Sequence, residues 1–204
     1  MKSKGLIKRA DVWRGGEAPP LAQEGIPTGF AALDALLPGG GWPVGALTEI
    51  LTRHEGIGAL RLVMPALVAL SRLNQWLAWI APPYIPYAPA LAGMGLHLSR
   101  VLLVHSRART DNLWALEQAL RSGTCGAVLA WPQEIEWRGL RRLQLAAKHG
   151  QTWGMLFRPD EVACDPSPAA LRLKVEAVEE KTLVTILKRR GGWPTGPIQL
   201  NTGS

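Results

Sequence analysis

The residues of this sequence best placed to do chemistry are 52–61, which lie between a predicted strand and a predicted helix, where a nucleotide-binding protein holds phosphate. A phosphate-binding loop needs the spacing G-x-x-x-x-G-K-[ST], because backbone amides cradle the phosphate, the lysine neutralises it and the hydroxyl binds magnesium. Neither the lysine nor the hydroxyl is present, in this register or in one shifted by one residue. The positions that define this degenerate loop are Glu55, Gly56, Gly58 and Ala59. We therefore predict no cofactor and no ATP hydrolysis.

The sequence also shows no residue spacing typical of a metal site or of a catalytic nucleophile. The four histidines are scattered, with no cysteine or carboxylate at ligand spacing. Cys125 and Cys164 stand far apart, and Cys125, beside a predicted strand, is expected to be an inert buried thiol. We predict no metal site and no catalytic residue, which leaves binding as the activity of the chain.

The elements that position these residues alternate between strand and helix. Near-continuous apolar runs predict strands at 46–52, 75–81, 100–105, 126–131 and 152–157, with helices at 29–37, 62–73, 88–93, 110–122 and 137–149. Pro65 sets the predicted start of the second helix near Leu62, because proline is costly beyond the first turn. Apolar runs of this kind are typical of a parallel sheet buried on both faces. Alternating residues at 171–178 and 182–188 predict a C-terminal antiparallel hairpin.

The organisation along the chain is one domain with two extensions. Residues 1–25 are polar and basic and predict an arm, residues 26–190 form the domain, and residues 191–204 are expected to be a flexible tail. The longest apolar stretches are shorter than a membrane span, and no signal peptide is visible, so a cytoplasmic location is expected. The formal net charge of +7 favours nucleic acid or an acidic protein as partner.

Two basic segments are candidate contacts for such a partner, with ordinary solvated charge as the alternative. The basic residues of the predicted helix 137–149 are Arg138, Arg141, Arg142 and Lys148. The second segment, at the end of the predicted hairpin, contains the basic residues Lys188, Arg189 and Arg190 and the aromatic residue Trp193. An exposed aromatic beside cations suits stacking on single-stranded nucleic acid. Direct DNA binding is expected to be weak, because the loops 132–139 and 159–170 carry carboxylates that repel phosphate.

Segment 29–50, GFAALDALLPGGGWPVGALTEI, resembles the opening of the RecA recombinase core. Across nearly the whole chain the sequence more closely resembles ImuA, a RecA-related family of bacterial mutagenesis cassettes. Further matching segments are VWRGGEA (12–18), GIGALRLVMPAL (56–67), WIAPPYIPYAPAL (79–91) and LKRRGG (187–192). The resemblance implies an α/β fold of the RecA type, with a mostly parallel central sheet flanked by helices.

The RecA resemblance also implies two carboxylates that this chain lacks. The second strand of such a core ends in a carboxylate that orients the attacking water, whereas Ala81 and Pro82 stand here. The strand 126–131 should close with the magnesium-binding aspartate, whereas Trp131 occupies that position. With the degenerate phosphate loop, these losses imply a catalytically silent RecA-like core.

The ImuA resemblance implies an accessory role in damage-induced translesion DNA synthesis as part of the SOS response. The expected partners are ImuB, an error-prone replicative-type DNA polymerase and RecA itself. The alternative is a cell-division inhibitor of the SulA type, which binds the tubulin-like division protein FtsZ. Segments 56–67 and GAVLAW (126–131) fit that family loosely, whereas segment 27–45 is an element that SulA lacks.

Overall fold

The structure, a computed structural model, describes residues 24–53, 57–105, 109–132, 134–178 and 181–202. Nearly all of the predicted N-terminal arm lies outside the described residues. Glu55 and Gly56 of the degenerate loop and the turn of the predicted hairpin at 179–180 also lie outside them.

Helices and strands alternate through the domain, as the apolar runs predicted. The helices are α1 (Ala31–Asp34), α2 (Ile57–Arg72), α3 (Ala88–Gly93), α4 (Arg109–Arg121) and α5 (Trp137–Gly150). The strands are β1 (Leu47–Thr52), β2 (Trp76–Ile80), β3 (Val101–Val104), β4 (Cys125–Ala130), β5 (Trp153–Pro159), β6 (Leu171–Val178), β7 (Lys181–Arg189) and β8 (Thr195–Leu200). Two 3-10 helices, Leu98–Arg100 and Asp160–Cys164, precede β3 and follow β5.

One eight-stranded sheet in the order β3-β2-β4-β5-β1-β6-β7-β8 joins these elements. The first six strands pair in parallel, and β6, β7 and β8 pair antiparallel. Alternate residues of the central strands contribute to two hydrophobic clusters, so the sheet is buried on both faces: α2 packs with one cluster, and α4 and α5 with the other. The predicted α/β class, with a mostly parallel sheet and an antiparallel C-terminal part, is confirmed.

The predicted start of α2 near Leu62 was wrong. The helix begins at Ile57 and continues through Pro65, with Leu62, Val63, Ala66 and Leu67 buried. Burial of this apolar face offsets the free energy lost because proline cannot donate a helical hydrogen bond. Gly29 also accommodates the proline, since a β-carbon at Gly29 would lie 2.6 Å from Pro65 Cβ.

The predicted flexible tail contains a third antiparallel strand. Gly191 adopts φ +73°, which favours glycine, and the chain turns back after β7. Strand β8 then pairs with β7, and Leu200 is buried in the core. Pro197 is compatible with this strand because β8 forms the edge of the sheet.

Candidate binding surfaces

An apolar groove of about 420 Å³ opens where β2, β4 and β5 reach their carboxyl ends. Trp79, Leu91 and Phe157 are buried in the core beneath it. Trp131 stacks on Phe157, with ring centroids 4.7 Å apart and an interplanar angle of 10°. Ligands of parallel α/β sheets bind at this edge, so the groove occupies the usual place for a site.

A proline-rich loop forms one wall of the groove. The segment 82–87, PPYIPY, contains prolines at 82, 83 and 86, which fix φ and limit the conformations of the residues before them. Tyr84, Ile85 and Tyr87 are exposed to solvent, and Ile85 is 81% exposed. We call the loop residues Tyr84, Ile85 and Tyr87, together with Trp131, the groove rim. A rigid loop that presents large apolar side chains binds a partner with little loss of chain entropy.

The residues that the sequence analysis compared with phosphate-binding and magnesium-binding positions have other surroundings in the structure. Gly58 and Ala59 lie in the first turn of α2, where Ala59 is buried. Trp131, at the predicted aspartate position, lies among apolar rings. Ala81, after β2, has φ +47° and donates its N–H to Val104 O at 2.8 Å. Within the described residues, no cluster of three or more His, Cys, Asp or Glu could hold a metal ion.

A buried ionic cluster on β1 was missed by the sequence analysis. The Glu49 carboxylate is fully buried and accepts bonds from Arg158 Nη1 at 3.1 Å and Arg172 Nε at 2.6 Å. Ser167 Oγ donates to the same carboxylate at 2.9 Å. Arg172 also donates to the carbonyl oxygens of Val162, Ala163 and Asp165, so this cluster fixes the loop after β5.

The predicted basic residues lie on two separate elements. On α5, Arg138, Arg141 and Lys148 are exposed, whereas Arg142 forms an ion pair with Glu117 of α4. The Arg141 guanidinium lies 5.4 Å from the centroid of the Trp137 ring. These contacts leave part of the basic face of α5 open to a partner.

In the second basic segment, Lys188 and Arg189 form hydrogen bonds with the rest of the domain. Lys188 Nζ donates to Ser167 O at 2.6 Å, and burial, followed by the charge of Arg172, lowers the pKa of this lysine. Arg189 donates from Nη1 to Leu36 O and from Nε to Trp193 O at 3.0 Å. Arg190 is exposed, and Trp193 is 84% exposed.

Burial also raises the pKa of the Cys125 thiol above its usual value, which disfavours the reactive thiolate. Cys164, in contrast, is exposed. In the described part of the chain, no helix is both long and apolar enough to span a bilayer.

Comparison with known proteins gives one consistent similarity. The family model described as "Cell division inhibitor SulA" matches residues 45–154. The SulA of Pectobacterium carotovorum subsp. carotovorum (strain PC1) is 29% identical over 134 residues, which cover 65% of this chain and 80% of that protein. The SulA of Yersinia pestis (strain Pestoides F) is 30% identical over 115 residues, covering 56% and 68%.

Among solved structures, SulA from Pseudomonas aeruginosa is similar, with 28% sequence identity and a TM-score of 0.47. The match covers 55% of this chain and 97% of that one.

These similarities contradict the resemblance to ImuA. The predicted role in translesion synthesis and mutagenesis was therefore wrong, and so were the predicted partners ImuB, an error-prone polymerase and RecA. The segments that suggested ImuA are short, and those at 56–67 and 79–91 lie inside the range that the other family matches. Segment 27–45, which weighed against that family, lies almost entirely before the matched range, so its presence does not conflict with the match.

Proposed function

Because the chain belongs to the SulA family of cell division inhibitors, we propose that it stops cell division by binding FtsZ in the cytoplasm. The match over residues 45–154 carries this proposal. Inhibition by binding needs no catalytic residue, which agrees with a chain whose nucleotide positions have lost the lysine, hydroxyl and carboxylates. We further propose that the sheet is a RecA-like core, which the succession of β1 and α2 around the sequence positions of the degenerate phosphate loop supports.

The groove rim is the proposed contact surface for FtsZ. Its four residues lie inside the matched range and three of them are exposed; large apolar side chains beside a buried aromatic floor are typical of binding hot spots. The prolines of the loop hold the rim in place before binding. The basic residues of α5 and of the β7–β8 turn are not needed for this contact.

A sedimentation assay tests the proposal. Purified FtsZ is polymerised with GTP, and the pelleted fraction is measured with increasing amounts of the chain. We expect the wild-type chain to lower the pelleted fraction. The variant Ile85→Asp should need about tenfold more protein, since a carboxylate in an apolar contact costs on the order of 1–3 kcal/mol.

Leu73→Asp is the matched control, because Leu73 is equally apolar and exposed but lies after α2, away from the groove. It should inhibit like the wild type, and expression of either protein should make cells filamentous. Unchanged FtsZ polymerisation with the wild-type chain would refute the proposed function. Inhibition by Ile85→Asp at wild-type concentrations would refute the groove rim as the contact.

A further inference from the structure

A second exposed surface lies on the other face of the sheet from the groove. The groove lies on the side of α2 and α3, whereas α4 and α5 pack with the opposite hydrophobic cluster. Helices α4 and α5 each connect neighbouring or near-neighbouring parallel strands, so they run parallel to one another. The ion pair between Glu117 and Arg142 joins them at mid-length.

Helix α5 has an outward face on which cations and apolar residues alternate. Its buried residues, Leu140, Leu143, Ala146 and Ala147, all face the sheet. Between 137 and 150 the helix has no acidic residue. Leu145 is 58% exposed, and Trp137, two turns earlier, is exposed beneath the Arg141 guanidinium. The outward face of α5 thus combines exposed apolar side chains with exposed cations, and aromatic and arginine side chains are enriched in protein interfaces.

Helix α4 adds a third apolar residue to this surface. Trp114 is 63% exposed and lies one turn before Glu117. Since Glu117 contacts Arg142, and Leu145 lies one turn after Arg142, the cross-helix ion pair stands between two apolar groups. We name this surface the α4–α5 face; its residues are Trp114, Trp137, Arg138, Arg141, Leu145 and Lys148.

We propose that the α4–α5 face binds an acidic amphipathic helix of a partner protein. Trp137 and Leu145 are eight residues apart, about 12 Å along the helix axis, which matches apolar residues about two turns apart on a second helix. The exposed Arg138, Arg141 and Lys148 meet carboxylates that flank those apolar residues. An exposed Leu and the central Glu117 offer nothing to a phosphate backbone, so the mixed surface suits a peptide better than nucleic acid.

Fluorescence anisotropy with three labelled probes tests this. The probes are a helical peptide with leucines about two turns apart and flanking glutamates, the same peptide with lysines for glutamates, and an oligothymidine. We expect the acidic peptide to bind the full chain about tenfold more tightly than the lysine peptide at moderate salt. Equal binding of the two peptides, or tighter binding of the oligothymidine than of the acidic peptide, would overturn the proposal.

Variants locate the site. Arg141→Glu combined with Lys148→Glu should weaken the acidic peptide about tenfold, and Leu145→Ser about threefold without a change in charge. The matched control is Arg72→Glu combined with Lys181→Glu, which makes the same change in net charge on other elements. If the control double variant weakens peptide binding as much as the α5 double variant, the effect is one of net charge, and the α4–α5 face is refuted as the site. Because FtsZ is absent from this assay, its outcome is independent of the proposed function.

Discussion

Glu49 is the one described carboxylate that is both fully buried and shared by two arginines. Arg158 and Arg172 are nearly as buried as their acceptor, and Arg158 Nε has no hydrogen-bond acceptor in the described part of the protein. The substitution Glu49→Gln leaves these guanidinium groups without their counter-charge. We expect the free energy of unfolding to fall by about 3–5 kcal/mol, measured by urea denaturation with tryptophan fluorescence.

The control for Glu49 is an acidic residue in an exposed ion pair. Glu176 binds Lys174 Nζ at 3.0 Å on β6; Glu176 is exposed and Lys174 is half-buried. Glu176→Gln should cost less than about 1 kcal/mol, because exposed ion pairs contribute little. Equal losses for the two variants would mean that the buried cluster is not a special source of stability.

At the scale of elements, α2 differs from its sequence-based boundary because of Pro65. The residue stands in the middle of a sixteen-residue helix, where proline removes the hydrogen bond to the carbonyl of Arg61. Pro65→Ala restores the donor and keeps the β-carbon that lies against Gly29. We expect the free energy of unfolding to rise by about 1–2 kcal/mol, since part of the ~3 kcal/mol helical cost of proline is offset by the stiffer unfolded chain.

Thermal unfolding followed by circular dichroism measures this change. Pro38→Ala, in the turn after α1, is the matched control and should be neutral or slightly destabilising, because no helical hydrogen bond is regained there. A lower melting temperature for Pro65→Ala than for Pro38→Ala would contradict the account of α2.

The elements that could be predicted from sequence are those that local patterns define. Strands β1, β2, β4 and β5 are apolar runs that are largely buried on both faces, so the sequence pattern matches the structure directly. The cluster around Glu49 could not be predicted, because its arginines lie 109 and 123 residues away and meet it only when β5 and β6 flank β1. The groove was missed because its wall is a proline-rich loop, whose only sequence signal indicates a turn.

At the scale of the molecule, the sheet joins a part that matches the SulA family to a part outside that match. Strands β1 to β4 and the start of β5 fall within residues 45–154, whereas β6, β7 and β8 follow them. The two parts meet at β1, whose residues are buried except at its last position. Glu49 on β1 and Arg172 on β6 bond across this junction, so the C-terminal strands and the family-matched sheet are expected to fold as one unit.

Truncation of the chain tests whether the C-terminal strands and the family-matched sheet fold as one unit. A chain of residues 24–170 keeps five parallel strands but loses β6 to β8, which exposes Leu47, Ile50 and Leu51 along a new edge and removes one arginine from Glu49. An unprotected apolar edge pairs with other chains. We expect this fragment to melt at least about 10 °C lower than the chain 24–202 and to associate in light scattering, because several kcal/mol of burial and ion pairing are lost. A monomeric fragment that melts within a few degrees of the longer chain would instead make β6 to β8 an independent addition, and Glu49 would then need only Arg158 as its partner.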